Sequence, residues 1–114
     1  YLDMNMYQRS CDTLLGVPFN LASMSLLLMI IAKVSNMIPG VAYWTGGDVH
    51  VYVDHIPMVQ EQLKRIPKGL PNLTITKDLK TLDDILSLEY EDFILTEYDP
   101  DDAIKAELFT GVKK

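Results

Sequence analysis

An α+β fold, with a mixed β-sheet packed on one long buried helix, is predicted by three features of the sequence. Leu2, Met4 and Met6 alternate with Asp3 and Asn5, which is the period of a strand. From Leu21 to about Met37 the chain is apolar nearly all round, as in a helix buried on every side. Shorter alternating runs then follow at 41–45, 49–53, 73–77 and 93–98, set apart by Pro, Gly and Asn. With 114 residues there is room for one domain at most, and 48% apolar residues suffice for a core.

Residues 1–12 form the first expected strand, and Gly16 and Pro18 supply turn chemistry in the link 13–19. Asn20 is placed to cap the helix, since its side chain can accept from free backbone N–H groups. A membrane span is the alternative reading of 21–37, but Ser23, Ser25 and Lys33 interrupt it, and the unbroken run is short of the ~20 residues a bilayer needs. A core helix is expected, ended by Pro39-Gly40. Gly46-Gly47 marks a bulge or a close backbone approach between the strands at 41–45 and 49–53. Asp54 is a candidate cap for a helix to about Arg65, with Ile56, Val59 and Leu63 buried and Glu61 paired to Arg65. Pro57 is tolerated in its first turn. Thr81-x-x-Asp84 reads as a capping box for a brief helix at 82–87. Asp99-Pro100-Asp101-Asp102 is a turn, and 103–114 a tail whose Lys113-Lys114 end is expected to be solvated.

A formal charge of −6 excludes a nucleic-acid surface of the usual kind, because phosphate backbones call for clustered Lys and Arg. One cysteine excludes an internal disulfide and suits a reducing, cytoplasmic setting. No repeats, phosphate-binding Gly loop or metal-ligand spacing occur. The chain opens inside a strand with no charged leader before an apolar run, so no signal peptide is expected and 1–114 reads as the C-terminal portion of a longer single domain.

Chemistry concentrates in Met6-Tyr7-Gln8-Arg9-Ser10-Cys11-Asp12 and Gly16-Val17-Pro18-Phe19-Asn20. Arg9 can grip a phosphate bidentately, and Ser10 can add a hydroxyl to the same oxygens. Asn20 carries an acceptor and two donors in one plane, which suits a nucleobase edge. The plain alternative is a charged strand end, a turn and an N-cap. Cys11 is a nucleophile or an inert thiol, and the absence of a neighbouring His favours the inert reading. Alternation puts Asp48, His50 and Tyr52 on one strand face, either as a site or as a solvated edge.

The order of these residues resembles the thymidylate synthase family. Tyr7-Gln8-Arg9-Ser10-Cys11-Asp12 with the following Gly16-Val17-Pro18-Phe19-Asn20 is similar to its nucleotide-binding segment, and Trp44-Thr45-Gly46-Gly47-Asp48-Val49-His50-Val51-Tyr52 to its second. The family converts dUMP to dTMP with 5,10-methylenetetrahydrofolate as cosubstrate and no metal. The resemblance covers Tyr1 to about Ala106 and implies binding roles residue by residue. Arg9 and Ser10 would hold the dUMP phosphate, and the backbone at Cys11 and Asp12 would face the uracil. Asn20 would read N3–H and O4, and His50 and Tyr52 would bond the ribose hydroxyl. Asp12 and Gly16 would lie against the folate. It also implies a homodimer packed through its sheet, with neither nucleic acid nor membrane as partner.

The family's nucleophile is a cysteine in a Pro-Cys-His motif upstream of these segments, and this sequence has no such motif. Also missing are an N-terminal phosphate-binding arginine and the paired arginines of a partner subunit. Asp54 stands where the family usually has Asn, Asp101 where a His often follows Pro, and 78–91 is slightly long. The family's short apolar tail, which folds over folate, is replaced by Glu107-Leu108-Phe109-Thr110-Gly111-Val112-Lys113-Lys114. Binding chemistry without covalent chemistry is expected, and the chain alone is expected to be inactive. A deoxyuridylate hydroxymethylase of viral type shares the scaffold and would keep Asn20. A non-catalytic nucleotide-binding or interaction module is the reading from a different class.

Overall fold

The computed structural model describes residues 1–108. In chain order it contains β1 (Leu2–Asp12), α1 (Gly16–Val34), β2 (Pro39–His50), a 3₁₀ turn (Val53–His55) and α2 (Ile56–Gln62). Then come β3 (Asn72–Ile75), α3 (Leu82–Leu86), a second 3₁₀ turn (Tyr90–Asp92) and β4 (Phe93–Thr96). The α+β class is as expected, but the pairing is divided. β1 and β2 pair parallel across the α1 crossover, while β3 and β4 pair antiparallel in a separate small sheet. A parallel pair needs a long crossover, and here a helix supplies it.

Helix α1 starts earlier than expected, at Gly16. The Asp12 carboxylate accepts from the backbone N–H groups of Leu14 and Leu15, at 3.2 and 3.4 Å, so the helix entry is held from upstream. Asn20 is therefore inside the helix and does not cap it. The helix also ends sooner, at Val34. Asn36 adopts a left-handed φ of 53°, Met37 N–H bonds Ala32 C=O, and Asn36 N–H bonds Lys33 C=O. That is a Schellman closure, and it precedes Pro39-Gly40.

Burial on every side is not what this chain achieves. Met24, Leu28 and Ala32 form one buried stripe at i, i+4 spacing against β1 and β2. Only 17% of the most apolar stretch of α1 is covered, because the described residues provide packing on one flank. By length and composition alone the helix could cross a membrane. Its polar groups are nonetheless used inside the fold. Ser25 Oγ donates to Leu21 C=O, and Lys33 Nζ reaches the Ile75 carbonyl at 2.6 Å, tying α1 to β3. Cys11, Met24, Leu28, Ala32, Ile75 and Leu79 make up the small buried core.

β2 runs unbroken through Gly46-Gly47, so the close-approach reading holds and the bulge does not. A Cβ on Gly47 would lie 2.9 Å from the Arg9 carbonyl oxygen and 2.6 Å from Tyr7 Oη. The strand expected at 49–53 ends at His50, a 3₁₀ turn follows from Val53, and Val49, Val51 and Val53 are exposed. The next helix begins at Ile56 rather than after Asp54, and Pro57 sits in its first turn. It ends at Gln62, leaving Ile56 and Leu63 exposed, and Glu61 pairs with Lys64 instead of Arg65. The capping box of α3 is present as expected. Thr81 Oγ1 accepts from Asp84 N–H, and Asp84 Oδ2 accepts from the backbone of Lys80 and Thr81. Lys113 and Lys114 lie outside the described residues.

Two outcomes follow from this geometry. Substituting Gly47→Ala forces β1 away from β2 at Arg9, with an expected destabilisation of about 1–3 kcal/mol. Denaturant midpoints check this, and the Arg9 amide resonance is expected to shift with them. The second concerns acid. The Thr81 hydroxyl, followed by the Lys80 and Thr81 backbone N–H groups, holds the Asp84 carboxyl below its ordinary value of 3.8. A lowered folded-state value means that the cap is fully stabilising above about 3.8 and is lost as pH falls through the lower folded value. Acid titration of the Leu82–Leu86 amide shifts is expected to show that step, and Asp84→Asn to abolish it.

Candidate functional site

The site is built where β1 and β2 end together. Ser10 lies opposite Asp48, Cys11 opposite Val49, and Asp12 opposite His50. The backbone N–H and hydroxyl of Thr13 both donate to the His50 carbonyl, at 3.0 and 2.8 Å, clamping the two ends. In parallel sheets this carboxyl end is where side chains and loops are free to meet a ligand.

Arg9 and Ser10 are both exposed at this end, and neither side chain makes an ion pair or hydrogen bond among the described residues. Their donors face solvent. Cys11 is different. Its side chain is fully buried, and Sγ donates to the Gln8 carbonyl at 3.3 Å. An attacking thiol has to be ionised and reachable, and this one is covered.

Asn20, on the second turn of α1, faces β1. Gln8 Nε2 donates to Asn20 Oδ1 at 2.8 Å and to the Ser10 carbonyl at 3.0 Å, while Gln8 Oε1 accepts from Trp44 Nε1 at 2.9 Å. Gln8, Arg9 and Asn20 share an open groove of about 500 Å³, floored by Met6, Met24 and Leu27. Gly16 lies beside it. A Cβ there would be 3.3 Å from Asp12 Cβ and 3.6 Å from Asn20 Oδ1, so glycine keeps the space between those two side chains clear.

His50 and Tyr52 meet although the strand stops between them. Their rings pack edge to face with centroids 5.1 Å apart, and Tyr52 makes a second such contact with His55 at 5.6 Å. His50 Nδ1 is 3.2 Å from the Asp48 carbonyl and 3.5 Å from its carboxylate. His55 is buried, and its Nε2 is 2.7 Å from the Glu107 carbonyl, which can only accept.

Thus Arg9 and Asn20 line one groove, Asp12 and Gly16 adjoin Asn20, and Ser10 and His50 lie across the same strand pair with Tyr52 stacked beyond. Two residues without an assigned role in the sequence reading help to build this site. Thr13 clamps the strand ends, which nothing local in the chain signals. Gln8 continues the half-buried parity of Leu2, Met4 and Met6, and a polar residue on that face needs partners. Among the described residues, no group of three or more His, Cys, Asp or Glu side chains is arranged to hold a metal.

Residues 1–110 match the family model described as thymidylate synthase. The chain is 45% identical over 107 residues to the thymidylate synthase of Aster yellows witches'-broom phytoplasma (strain AYWB), covering 94% of this chain and 36% of that protein. It is equally similar to the thymidylate synthase of Mycoplasma mobile, with the same coverage. Against the thymidylate synthase of Buchnera aphidicola subsp. Acyrthosiphon pisum the identity is 46%, covering 94% of this chain and 39% of the relative. The chain therefore spans little more than a third of the length of these relatives. A family match reaching from residue 1 to residue 110, with close to half the positions identical, shows that this chain belongs to the thymidylate synthase family.

Proposed function

We propose that this chain supplies the nucleotide-binding part of a thymidylate synthase, an enzyme that methylates dUMP to dTMP with 5,10-methylenetetrahydrofolate. The carrying observation is the pairing of the unpartnered Arg9 guanidinium with the Asn20 amide on one groove near the end of β1, with the unpartnered Ser10 hydroxyl next in the strand. A dianionic phosphate matches Arg9 and Ser10, and a planar base edge matches the amide. His50 and Tyr52, held ring to ring beside Asp12, supply polar tips for the sugar hydroxyl.

Folate fits the same corner. One oxygen of Asp12 holds the helix entry through Leu14 and Leu15, which leaves the other to accept from a pterin N–H, and Gly16 keeps the adjoining surface open. The cosubstrate supplies the one-carbon unit and the hydride. The chain's residues bind and orient the nucleotide against it.

The covalent step belongs elsewhere. Thiolate addition to C6 of the pyrimidine is what makes C5 nucleophilic, and the buried Cys11, bonded to Gln8 C=O, is not the attacking group. A homodimer is supported by the outer face of the strand pair, where Tyr7, Val41 and Tyr43 are all exposed. We place the protein in the cytoplasm, with neither membrane nor nucleic acid as partner. The packing of the Met24, Leu28 and Ala32 stripe on the sheet and the net charge of −6 support this reading.

Two measurements test the proposal. Asn20→Asp removes the donor that faces O4, so discrimination of dUMP from dCMP is expected to fall by ~1–3 kcal/mol. Equal discrimination before and after the change would remove Asn20 from the base edge. The second is turnover with dUMP and methylenetetrahydrofolate, followed by dihydrofolate absorbance. The chain alone is expected to form no dTMP, because loss of a covalent nucleophile removes several powers of ten in rate. Activity is expected on mixing with the N-terminal part of the family's domain, and turnover by the chain alone that survives Cys11→Ser would refute the assignment.

A further inference from the structure

We infer that Trp44, acting through Gln8, fixes which way round the Asn20 amide faces, and so which base edge the site accepts. The inference rests on the reading of Asn20 as the base-edge residue. It follows from a donor and acceptor inventory. An indole nitrogen can only donate, so the Gln8 atom 2.9 Å from Trp44 Nε1 has to be its oxygen. The other end of the Gln8 amide is then its NH₂, and the Asn20 atom 2.8 Å from it has to be an oxygen. Polarity is thereby passed from Trp44 across β1 to α1.

All three side chains are half-buried, so their bonds are partly shielded from water. The Gln8 NH₂ is further committed by its bond to the Ser10 carbonyl, next to the phosphate-binding hydroxyl. Turning the Gln8 amide over would set its NH₂ against the indole N–H and its oxygen against the Ser10 carbonyl. Asn20 Oδ1 retains a second lone pair, and Nδ2 has no protein partner among the described residues. The amide thus presents an acceptor and a donor in a fixed order, matching N3–H and O4 of uracil. The reverse order would match N3 and N4–H₂ of cytosine.

Space for the relay is provided by Gly46. A Cβ there would come within 2.6 Å of the Trp44 ring, so glycine lets the indole lie where it reaches Gln8. Trp44 touches no ligand in this scheme, and it is a positioning residue.

Gln8→Glu tests the relay most sharply. A carboxylate still accepts from Trp44 but cannot donate, so Asn20 is expected to turn and offer Nδ2 to it. The added negative charge weakens binding of any nucleotide monophosphate, so the readout is the ratio of dUMP to dCMP dissociation constants in the 114-residue chain, measured by NMR titration. That ratio is expected to shift toward dCMP by roughly tenfold or more. Trp44→Phe, which removes the donor together with part of the ring, is expected to narrow the ratio without reversing it.

Side-chain proton exchange, measured without nucleotide, reads the relay on its own. In the unaltered chain the Trp44 indole proton is expected to exchange slowly and the Asn20 Nδ2 protons quickly. In Gln8→Glu the Asn20 protons are expected to slow. An indole proton as labile as that of free tryptophan, or Asn20 protons indifferent to Gln8→Glu, would overturn the inference. If the exchange pattern holds in a chain that binds neither nucleotide, the relay is supported and the base-edge reading of Asn20 falls.

Discussion

Parallel pairing of β1 with β2, closed by Thr13 on the His50 carbonyl, is the constraint on which the rest of this structure depends. It joins segments 37 residues apart in the chain. Register is decisive, because a slip of one residue would turn every side chain to the opposite face. With Asp12 opposite His50, the exposed Arg9 and Ser10 lie at the end of the strand pair that the His50 and Tyr52 rings border. Glycine at 47 permits the close approach to the Arg9 carbonyl that this register brings about near the end of β2.

Helix α1 completes the site because Asp12 works at both ends of the connection. One of its oxygens gathers the N–H groups of Leu14 and Leu15, and this sets where the helix begins. Beginning at Gly16 rather than after Asn20 adds a turn, and that turn carries the Asn20 amide over Gln8. A residue suited by type to capping thereby faces β1 from inside the helix. The uncovered apolar flank of α1 and the exposed outer face of the strand pair are the surfaces a larger assembly would cover.

Much of this was legible in the residues themselves. The alternation of Leu2, Met4 and Met6 gave the first strand, the apolar run gave the helix, and Thr81 with Asp84 gave a capping box that is present atom for atom. What local pattern could not supply were the contacts made at a distance. Asn20 followed a Gly-x-Pro link and so resembled a cap, whereas the helix entry was already held by Asp12 upstream. Val49, Val51 and Val53 alternated like a strand, yet the Thr13 clamp ends β2 at His50 and the chain turns. Trp44 and Gln8 lie 36 residues apart, and only the parallel register reveals that they meet. The family resemblance pointed to candidate residues, while the bond between the Gln8 and Asn20 amides needed the fold.

The most direct test of the central claim is where a nucleotide touches the chain. Titration of the uniformly ¹⁵N-labelled 114-residue protein with dUMP reads every backbone amide at once, and it detects millimolar binding as well as tighter binding. Shifts are expected at Arg9, Ser10, Asp12, Asn20, His50 and Tyr52, the residues gathered by the ends of β1, β2 and the first turns of α1. Shifts centred on the separate groove around Lys68 and Asp101, or no shifts at all, would contradict it.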